Sequence, residues 1–321
     1  MCVNGDRILI GAYLDNAAYV FDRDADGSWM QSARLTGSPA TGYLGYSVAL
    51  LGDTAVAGAP NDFSVGWGSG AAFVFQRQSD GTWAQVQRLL PSPGDRLGFG
   101  RAVGISENTI FVGAPMDGTQ APNAGTVYVY ARDGSGTWVE SQRLYAPYPA
   151  NSDVFGTSIT VDESRALIGA ENYSNHTPIH LGAAFLYERG VDGDWELSSL
   201  LMADDPHELS RFGRVVALRG NLAVVGAPYQ TEVDEEGNPL PLAGAAYVFA
   251  VGPDENDNGV MDICECLARG DLDLDGEIAI SDLSILLSGF GVTGAGDLDR
   301  DGDTDLQDLA NLLSNWALRC Q

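Results

Sequence analysis

The sequence contains no lysine, few cysteines and histidines, and no apolar run long enough to cross a bilayer. Its 17 basic residues are all arginines, and 44 acidic residues give a formal net charge of −27. Nucleic-acid binding needs cationic patches that neutralise phosphates, so this function is excluded, and binding to anionic lipid is disfavoured for the same reason. A membrane span needs about 18 or more apolar residues, so none is expected. The acidic excess favours cations as ligands, most simply Ca²⁺.

A repeat of 54 to 57 residues, with one step of 62 from Gly182 to Gly244, runs through the first 250 positions. Its markers are a Gly-Ala-Pro triplet, an aromatic-Gly pair, a Gly-led strand ending in an aromatic residue, and a tryptophan after a glycine turn. The triplets begin at Gly58, Gly113 and Gly226, with a variant at Gly169, and the aromatic-Gly pairs begin at Phe99, Phe155 and Phe212, with a variant at Leu44. The Gly-led strands begin at Gly70, Gly125, Gly182 and Gly244. The tryptophans are Trp29, Trp83, Trp138 and Trp195.

Each period contains four β-rich segments bounded by Gly, Asn and Asp, and no helical pattern. Four strands per repeat predict a blade of a β-propeller, in which neighbouring blades bury each other's faces. The repeated tryptophan is expected to pack between blades. About five repeats are visible, so the options are a closed five-blade ring or a fragment of a larger ring. We expect a mainly β protein with a propeller at residues 1–252.

These motifs resemble the FG-GAP repeat, the blade type of integrin α-chain propellers and of many bacterial surface proteins. In the integrin type, an Asp-rich loop between the Phe-Gly and Gly-Ala-Pro strands holds calcium. Here that position is a tight turn such as Leu51-Gly52-Asp53-Thr54, so the resemblance does not extend to blade calcium. Residues 1–6 show no signal peptide. The chain begins within a repeat, so an N-terminal truncation and a secreted or cell-surface location are expected.

Carboxylates follow the Gly-Ala-Pro strand in several repeats, at Asp62, Asp117, Glu171 and Glu232. Their loops share one face of the ring, so they form a candidate ligand surface, with ordinary polar loops as the alternative. A further acidic run, Asp22-x-Asp24-x-Asp26-Gly27, matches half a calcium loop. Its counterparts in other repeats keep only Asp-Gly, which a hairpin turn explains.

The last part of the chain is more acidic, with sixteen Asp and Glu against three Arg after Gly252-Pro253. Two loops have oxygen ligands in the order of an EF-hand, with glycine at position 6 for the sharp turn. The ligands of the first are Asp271, Asp273, Asp275, Glu277 and Asp282, and those of the second are Asp297, Asp299, Asp301, Asp303, Asp305 and Asp308. Glu277 and Asp303 would contribute backbone carbonyls.

An apolar stripe of helical spacing follows each loop, and the second lies 26 residues after the first. The stripes are Leu283, Leu286, Leu287 and Phe290, then Leu309, Leu312, Leu313 and Trp316. This duplicated loop-and-helix unit resembles the type I dockerin domain, which implies a small α-helical calcium-loop domain at 270–321 with two Ca²⁺ ions. The positions that recognise cohesin in dockerins are Ile280-Ser281 and Leu306-Gln307 here, rather than Ser-Thr. A cohesin-like or cell-surface partner is therefore an open expectation.

A third loop lies in the linker at 253–269 and resembles a thrombospondin type 3 calcium loop, since no amphipathic helix follows it. Its candidate ligands for a third ion are Asp254, Asn256, Asn258, Asp262 and Glu265, and the alternative is an acidic interdomain linker. We favour a disulfide from Cys264 or Cys266 to Cys320 over a Cys-x-Cys metal site, because small extracellular modules often need such a bridge. The pairing of Cys2 stays open.

The sequence favours an extracellular calcium-binding adhesion protein. The propeller face would bind a protein or glycan, and the tail would be a calcium-dependent docking or anchoring module. Because dockerins attach carbohydrate-active enzymes to scaffolds, the alternative is such an enzyme, or a subunit of one, in polysaccharide breakdown. No catalytic motif is recognisable, and no catalytic residue is assigned. A surface-layer component that only self-assembles is a third option.

Overall fold

The structure is a computed structural model that describes residues 1–38, 42–66, 68–91, 96–174, 180–205, 207–233, 239–240, 242–252, 278, 280–290, 304 and 306–314. The chain divides into two compact units. One contains Met1–Leu218 and Val224–Tyr247, and the other contains Arg219–Ala223 and Val248–Gln321. None of the described helices is long and apolar enough to cross a membrane.

Five antiparallel sheets follow one another along the chain, each in simple sequential order. The first is β1 (Cys2–Asn4), β2 (Arg7–Ala12), β3 (Ala17–Arg23) and β4 (Trp29–Leu35). The second is β5 (Ser47–Leu51), β6 (Thr54–Ala59), β7 (Ala71–Arg77) and β8 (Trp83–Leu89). The third is β10 (Ala102–Ser106), β11 (Thr109–Ala114), β13 (Thr126–Arg132) and β14 (Trp138–Leu144).

The fourth sheet is β15 (Ser158–Asp162), β16 (Arg165–Ala170), β17 (Ala183–Arg189) and β18 (Trp195–Leu201). The fifth has three described strands, β19 (Val215–Arg219), β20 (Leu222–Ala227) and β23 (Ala245–Ala250). Two short ladders join β9 (Arg96–Leu97) to β12 (Met116–Asp117), and β21 (Glu232–Val233) to β22 (Pro239–Leu240). The predicted mainly β propeller is confirmed, with five blades. The option of a larger ring stays a prediction.

The middle strands of the second, third and fourth blades are largely buried on both faces because a neighbouring blade covers each face. All six residues of β11 are buried, as are the first five of β13. One core cluster joins Val56 and Val74 of the second blade to Ile110, Tyr128 and Trp138 of the third. Burial of such side chains is worth about 1.5–3 kcal/mol each, so the blades stabilise one another.

The tryptophans of the second, third and fourth blades pack between blades. Trp195 meets Phe111 of the preceding blade edge to face, with ring centroids 4.8 Å apart. Trp138 and Trp195 are both buried, and Trp83 is half-buried. Trp29, in the first blade, is 39% exposed. The predicted packing role therefore holds for the inner blades and not for Trp29.

Glycine–glycine contacts explain the recurrence of two sequence markers. The Gly-Ala-Pro glycine of one blade faces the carbonyl oxygen of the aromatic-Gly glycine of the next, and a Cβ on Gly58 would overlap the oxygen of Gly100. Gly100 also has φ +89°, which disfavours any side chain. The same contact recurs in the pairs Gly11 and Gly45, Gly113 and Gly156, and Gly169 and Gly213.

In the second unit, the structure describes two helices, α1 (Ile280–Gly289) and α2 (Leu306–Ser314). Each follows one of the predicted calcium loops, as the apolar spacing predicted. Leu286 and Leu312 are fully buried together with Ile278, and Leu283 and Leu309 pack against them. Leu287 and Phe290 are exposed, so only part of the first predicted stripe is buried, and Trp316 lies outside the described residues.

Candidate functional site

The connections of the propeller divide between its two ends, because consecutive strands in each blade are antiparallel. One end has tight hairpins such as Gly52-Asp53 and residues 78–82. The other end has the long connections after each Gly-Ala-Pro strand and the connections from each blade to the next. We call this second end the loop face, and its first segments are residues 13–16, 36–46 and 60–70. As predicted, the position of the integrin calcium loop holds only a short turn.

Exposed aromatic side chains are frequent on the loop face. They are Tyr13, Tyr43, Tyr46, Phe63, Tyr148 and Tyr229, each more than a third exposed. The Tyr13 ring lies 5.6 Å from the rings of both Tyr43 and Tyr46. Aromatic residues that have one edge exposed to solvent are enriched at binding interfaces, so this group of rings is a candidate contact surface.

Two of the carboxylates proposed as ligands on this face are fully buried instead. Asp62 forms an ion pair with Arg88 at 2.6 Å and accepts the Ser64 N–H at 2.9 Å. Asp117 accepts the Thr119 N–H at 2.7 Å and the hydroxyl hydrogen of Tyr128. Both aspartates thus anchor their loops to their own blades, and a ligand role for them stays a prediction. The side chain of Glu232 lies outside the described residues.

An arginine lies over an aromatic ring at the same place in the first three blades. The guanidinium carbons of Arg34, Arg88 and Arg143 lie 5.9, 5.3 and 5.0 Å from the ring centroids of Tyr19, Phe73 and Tyr128. Each arginine stands five residues after the repeated tryptophan, while the fourth blade has Leu200 there. The sequence analysis missed this repeat, although its spacing was visible.

A second group of arginines surrounds Glu171, the third predicted loop carboxylate. Glu171 Oε2 accepts hydrogen bonds from Arg214 at 2.6 Å and from Arg211 at 3.2 Å. Arg211 stacks on Tyr229 at 5.1 Å, and Arg101 stacks on Tyr46 at 4.8 Å. The pKa of Arg214 is raised, first by its hydrogen bond to Glu171 and also by the nearby phenols of Tyr229 and Tyr46. Tyr46 of the second blade and Arg214 of the fifth blade are thus within range of an electrostatic interaction.

A cavity of about 860 Å³ lies along the first strands of the blades. Its aliphatic wall includes Val48, Val103, Ile159 and Val216, one from each of four blades. Tyr46, Arg101 and Arg214 each directly precede one of these first strands in the sequence. Their backbone therefore stands at the loop-face end of the strands that line the cavity.

The acidic run at Asp22 to Asp26 forms a hairpin turn, as favoured from the sequence. Asp22 is bound to Arg7 at 2.7 Å, while Asp24 and Asp26 both accept the Ser28 N–H at 2.9 Å. Equivalent turns follow β7, β13 and β17. These carboxylates are therefore used within the hairpin.

The predicted calcium ligands lie almost entirely outside the described residues. Every candidate in the linker loop and in both tail loops lies outside them, except Asp282 and Asp308 at position 12 of the two tail loops. Asp282 lies within α1, although its side chain is outside the description, and Asp308 is fully buried in the first turn of α2. Within the described ranges, no three His, Cys, Asp or Glu side chains are grouped to hold a metal. Calcium binding stays a prediction.

Of the four cysteines, only Cys2 lies among the described residues, where it is a free thiol whose Sγ is 3.8 Å from the Leu50 carbonyl oxygen. Cys264, Cys266 and Cys320 lie outside them, so their predicted bridge is untested.

The FG-GAP repeat family model matches residues 29–75, 83–130 and 195–249. Each matched stretch starts in or at the last strand of one blade and ends in the third strand of the next, or, for 195–249, in β23. The chain therefore carries FG-GAP repeats in a five-blade propeller. No curated protein matches it. A crystal structure of a protein from Lactobacillus plantarum is similar at 16% identity and a TM-score of 0.47, covering 78% of this chain and 68% of that one.

Proposed function

We propose that this protein is an extracellular, calcium-binding adhesion protein. Its loop face would bind a protein or glycan, and its tail would act as a calcium-dependent docking or anchoring module. A propeller with FG-GAP repeats indicates a binding function. The more specific assignment depends on the features of the loop face and the tail.

The observation that carries the binding proposal is the exposed aromatic group of Tyr13, Tyr43 and Tyr46. The Tyr13 ring contacts the rings of Tyr43 and Tyr46, and each of the three residues is still more than a third exposed. Exposed apolar groups that cluster on one surface mark interaction sites more often than singly scattered ones. The hairpin end carries polar turns instead, such as those of Asp80 with Thr82 and Asp133 with Ser135.

The calcium proposal is supported by the duplicated geometry of the tail. Ile278 and Thr304 are 26 residues apart, stand at position 8 of the two predicted loops, and are both fully buried. Asp308, at position 12 of the second loop, is buried at the start of α2, where a helix N-terminus favours a carboxylate. Two Ca²⁺ ions would fill these loops, with a third in the linker loop. A bridge from Cys264 or Cys266 to Cys320 would close this module.

The binding proposal is tested by applying the full chain to an array of polysaccharides and extracellular-matrix proteins. Tyr13→Ser and Tyr43→Ser should each reduce binding to the recognised probe about tenfold or more. Trp29→Ser removes an equally exposed aromatic ring at the hairpin end and should leave binding unchanged. Equal effects of all three substitutions would contradict the assignment to the loop face.

The calcium proposal is tested by calorimetric titration of the full chelator-stripped chain. We expect two or three ions, with one lost in Asp273→Asn and another in Asp299→Asn. No heat of calcium binding would contradict the proposal. The enzyme alternative would gain support if the chain released reducing sugar from a bound polysaccharide and a carboxylate substitution abolished that release. Self-assembly without any bound probe would favour the surface-layer alternative.

A further inference from the structure

Three arginines lie on the loop face of this strongly acidic protein. We call the side chains of Tyr46, Arg101, Glu171, Arg211, Arg214 and Tyr229 the arginine–tyrosine cluster. It contains three arginines and one carboxylate, whereas the whole chain has a net charge of −27. At physiological salt, charges more than about 8 Å away are largely screened. A ligand group at this cluster would therefore respond chiefly to the arginines.

Two of the three arginines already form ion pairs within the cluster, and these pairs fix the positions of their side chains. Arg211 and Arg214 share Glu171 Oε2, and Glu171 is nearly buried between them. Their own side chains remain about a third exposed, at 37% and 34%. A guanidinium has five N–H donors, so each keeps donors that Glu171 does not use.

Arg101 differs from these two because its guanidinium lies on the Tyr46 ring at 4.8 Å. Among the described residues, it makes no ion pair and no side-chain hydrogen bond. Stacking of this kind holds the planar fork in one orientation, so less conformational entropy is lost when it binds. A planar, pre-oriented fork is suited to bidentate recognition of a carboxylate.

Resting on the proposed binding function, we propose that the arginine–tyrosine cluster recognises the carboxylate of an acidic glycan, in which uronic acid residues supply the negative charge. Aromatic rings decide between a glycan and an acidic peptide. The Tyr46 ring lies beside the exposed ring of Tyr13, which lies beside that of Tyr43. Together these rings offer flat apolar surface for the faces of neighbouring sugar rings. An acidic peptide would need the arginines but would have no particular use for this row of rings.

The test is calorimetric titration of the full chain with trigalacturonate at about 0.15 M salt. Arg101→Gln removes the unpaired guanidinium and should weaken binding about tenfold or more, as expected for a charge-assisted hydrogen-bond pair. Arg132→Gln is the matched control, since Arg132 stacks on Trp138 at 5.7 Å beside the β13–β14 hairpin. It should bind trigalacturonate like the unsubstituted chain.

Two further titrations define the ligand class. The carboxyl-reduced trisaccharide should bind at least about tenfold more weakly than trigalacturonate, and so should hexaglutamate. Equal binding of the reduced sugar, tighter binding of hexaglutamate, unchanged binding by Arg101→Gln, or no binding of trigalacturonate would each overturn the proposal. Loss of array binding in Tyr13→Ser but not in Arg101→Gln would overturn it while leaving the proposed binding function intact.

Discussion

Gln87, in the last strand of the second blade, holds the backbone of Trp138 in the third blade by two hydrogen bonds. Its Nε2 donates to the Trp138 carbonyl oxygen at 2.6 Å, and its Oε1 accepts the Trp138 N–H at 2.8 Å. Gln142 makes the same pair of bonds to Trp195, at 2.8 Å each. The side-chain amide thus acts as a strand partner between neighbouring blades, in addition to the backbone bridge between Gly70 and Phe99.

We predict that Gln87→Ala destabilises the propeller through the loss of this contact. The substitution removes both partners of the Trp138 peptide groups, and each unsatisfied buried group costs about 1–3 kcal/mol. The free energy of unfolding, measured by urea titration of the full chain, should fall by about 2–6 kcal/mol, the sum for the two groups. Gln78→Ala is the control, because the Gln78 side chain donates to the Gln76 carbonyl oxygen in an exposed turn. The substitution should change stability by less than about 0.5 kcal/mol. Similar losses in both variants would contradict this role.

The Gln87 contact shows where sequence reasoning was sufficient and where it failed. The blades could be predicted because Gly58, Gly100 and their equivalents recur in phase, and a repeat that cannot bury its faces alone must stack. The glutamine contact could not be predicted in this way. The position four residues after the tryptophan holds Ala33 in the first blade and Ser199 in the fourth. A feature present in two of four copies does not stand out as a repeat.

The glycine contact between blades gives a second prediction. Gly58→Ala places a methyl group against the carbonyl oxygen of Gly100, and neither backbone can move without separating the second and third blades. We expect a loss of about 1–3 kcal/mol, the usual cost of overpacking, or more if the blades part. Gly134→Ala is the matched control, since a Cβ there meets no atom within 4 Å. A propeller that tolerated both substitutions equally would not depend on this close approach.

A buried carboxyl group on the loop face gives a pH-dependent prediction. Burial raises the pKa of Asp153 above the ordinary 3.8, although Ala150 and Ser174 donate hydrogen bonds to it. The folded protein therefore binds this proton more readily than the unfolded chain. The contribution of Asp153 to stability should increase as the pH falls through its folded pKa towards 3.8, and should then level off.

The measurement is the difference in free energy of unfolding between the unsubstituted chain and Asp153→Asn, followed across the acid range. The difference should move in favour of the unsubstituted chain as the pH falls, because asparagine does not titrate. Asp133→Asn is the control for a turn aspartate, since hydrogen bonds, chiefly from Ser135, lower the pKa of Asp133. Its difference should move in the opposite direction. A pH-independent difference for Asp153→Asn would contradict the assignment.

The loop carboxylates show a second limit of the sequence. Asp62, Asp117 and Glu171 were placed correctly in the loops after the Gly-Ala-Pro strands, yet their burial and partners could not be foreseen. The partner of Asp62 comes from β8, and those of Glu171 come from the connection into the fifth blade. The first contact depends on how a loop folds back onto its own blade, and the second depends on how the fourth and fifth blades stack. Spacing along the chain reveals neither.

The arginines stacked on aromatic rings allow one repeat position to be compared in two electrostatic settings. Arg88 and Arg143 occupy equivalent positions and stack at 5.3 and 5.0 Å. Arg88 pairs with fully buried Asp62, whereas Arg143 pairs with Glu140, which is 27% exposed. Methionine keeps much of the packing and removes the charge. Arg88→Met should cost about 3–5 kcal/mol, as for a broken buried ion pair, and Arg143→Met about 0–1 kcal/mol.

Urea unfolding of both variants measures these losses in free energy of unfolding. Asp62→Asn added to Arg88→Met should restore part of the loss because it removes the buried charge. Equal costs at the two positions would show that ring stacking, rather than burial of Asp62, determines the role of this arginine.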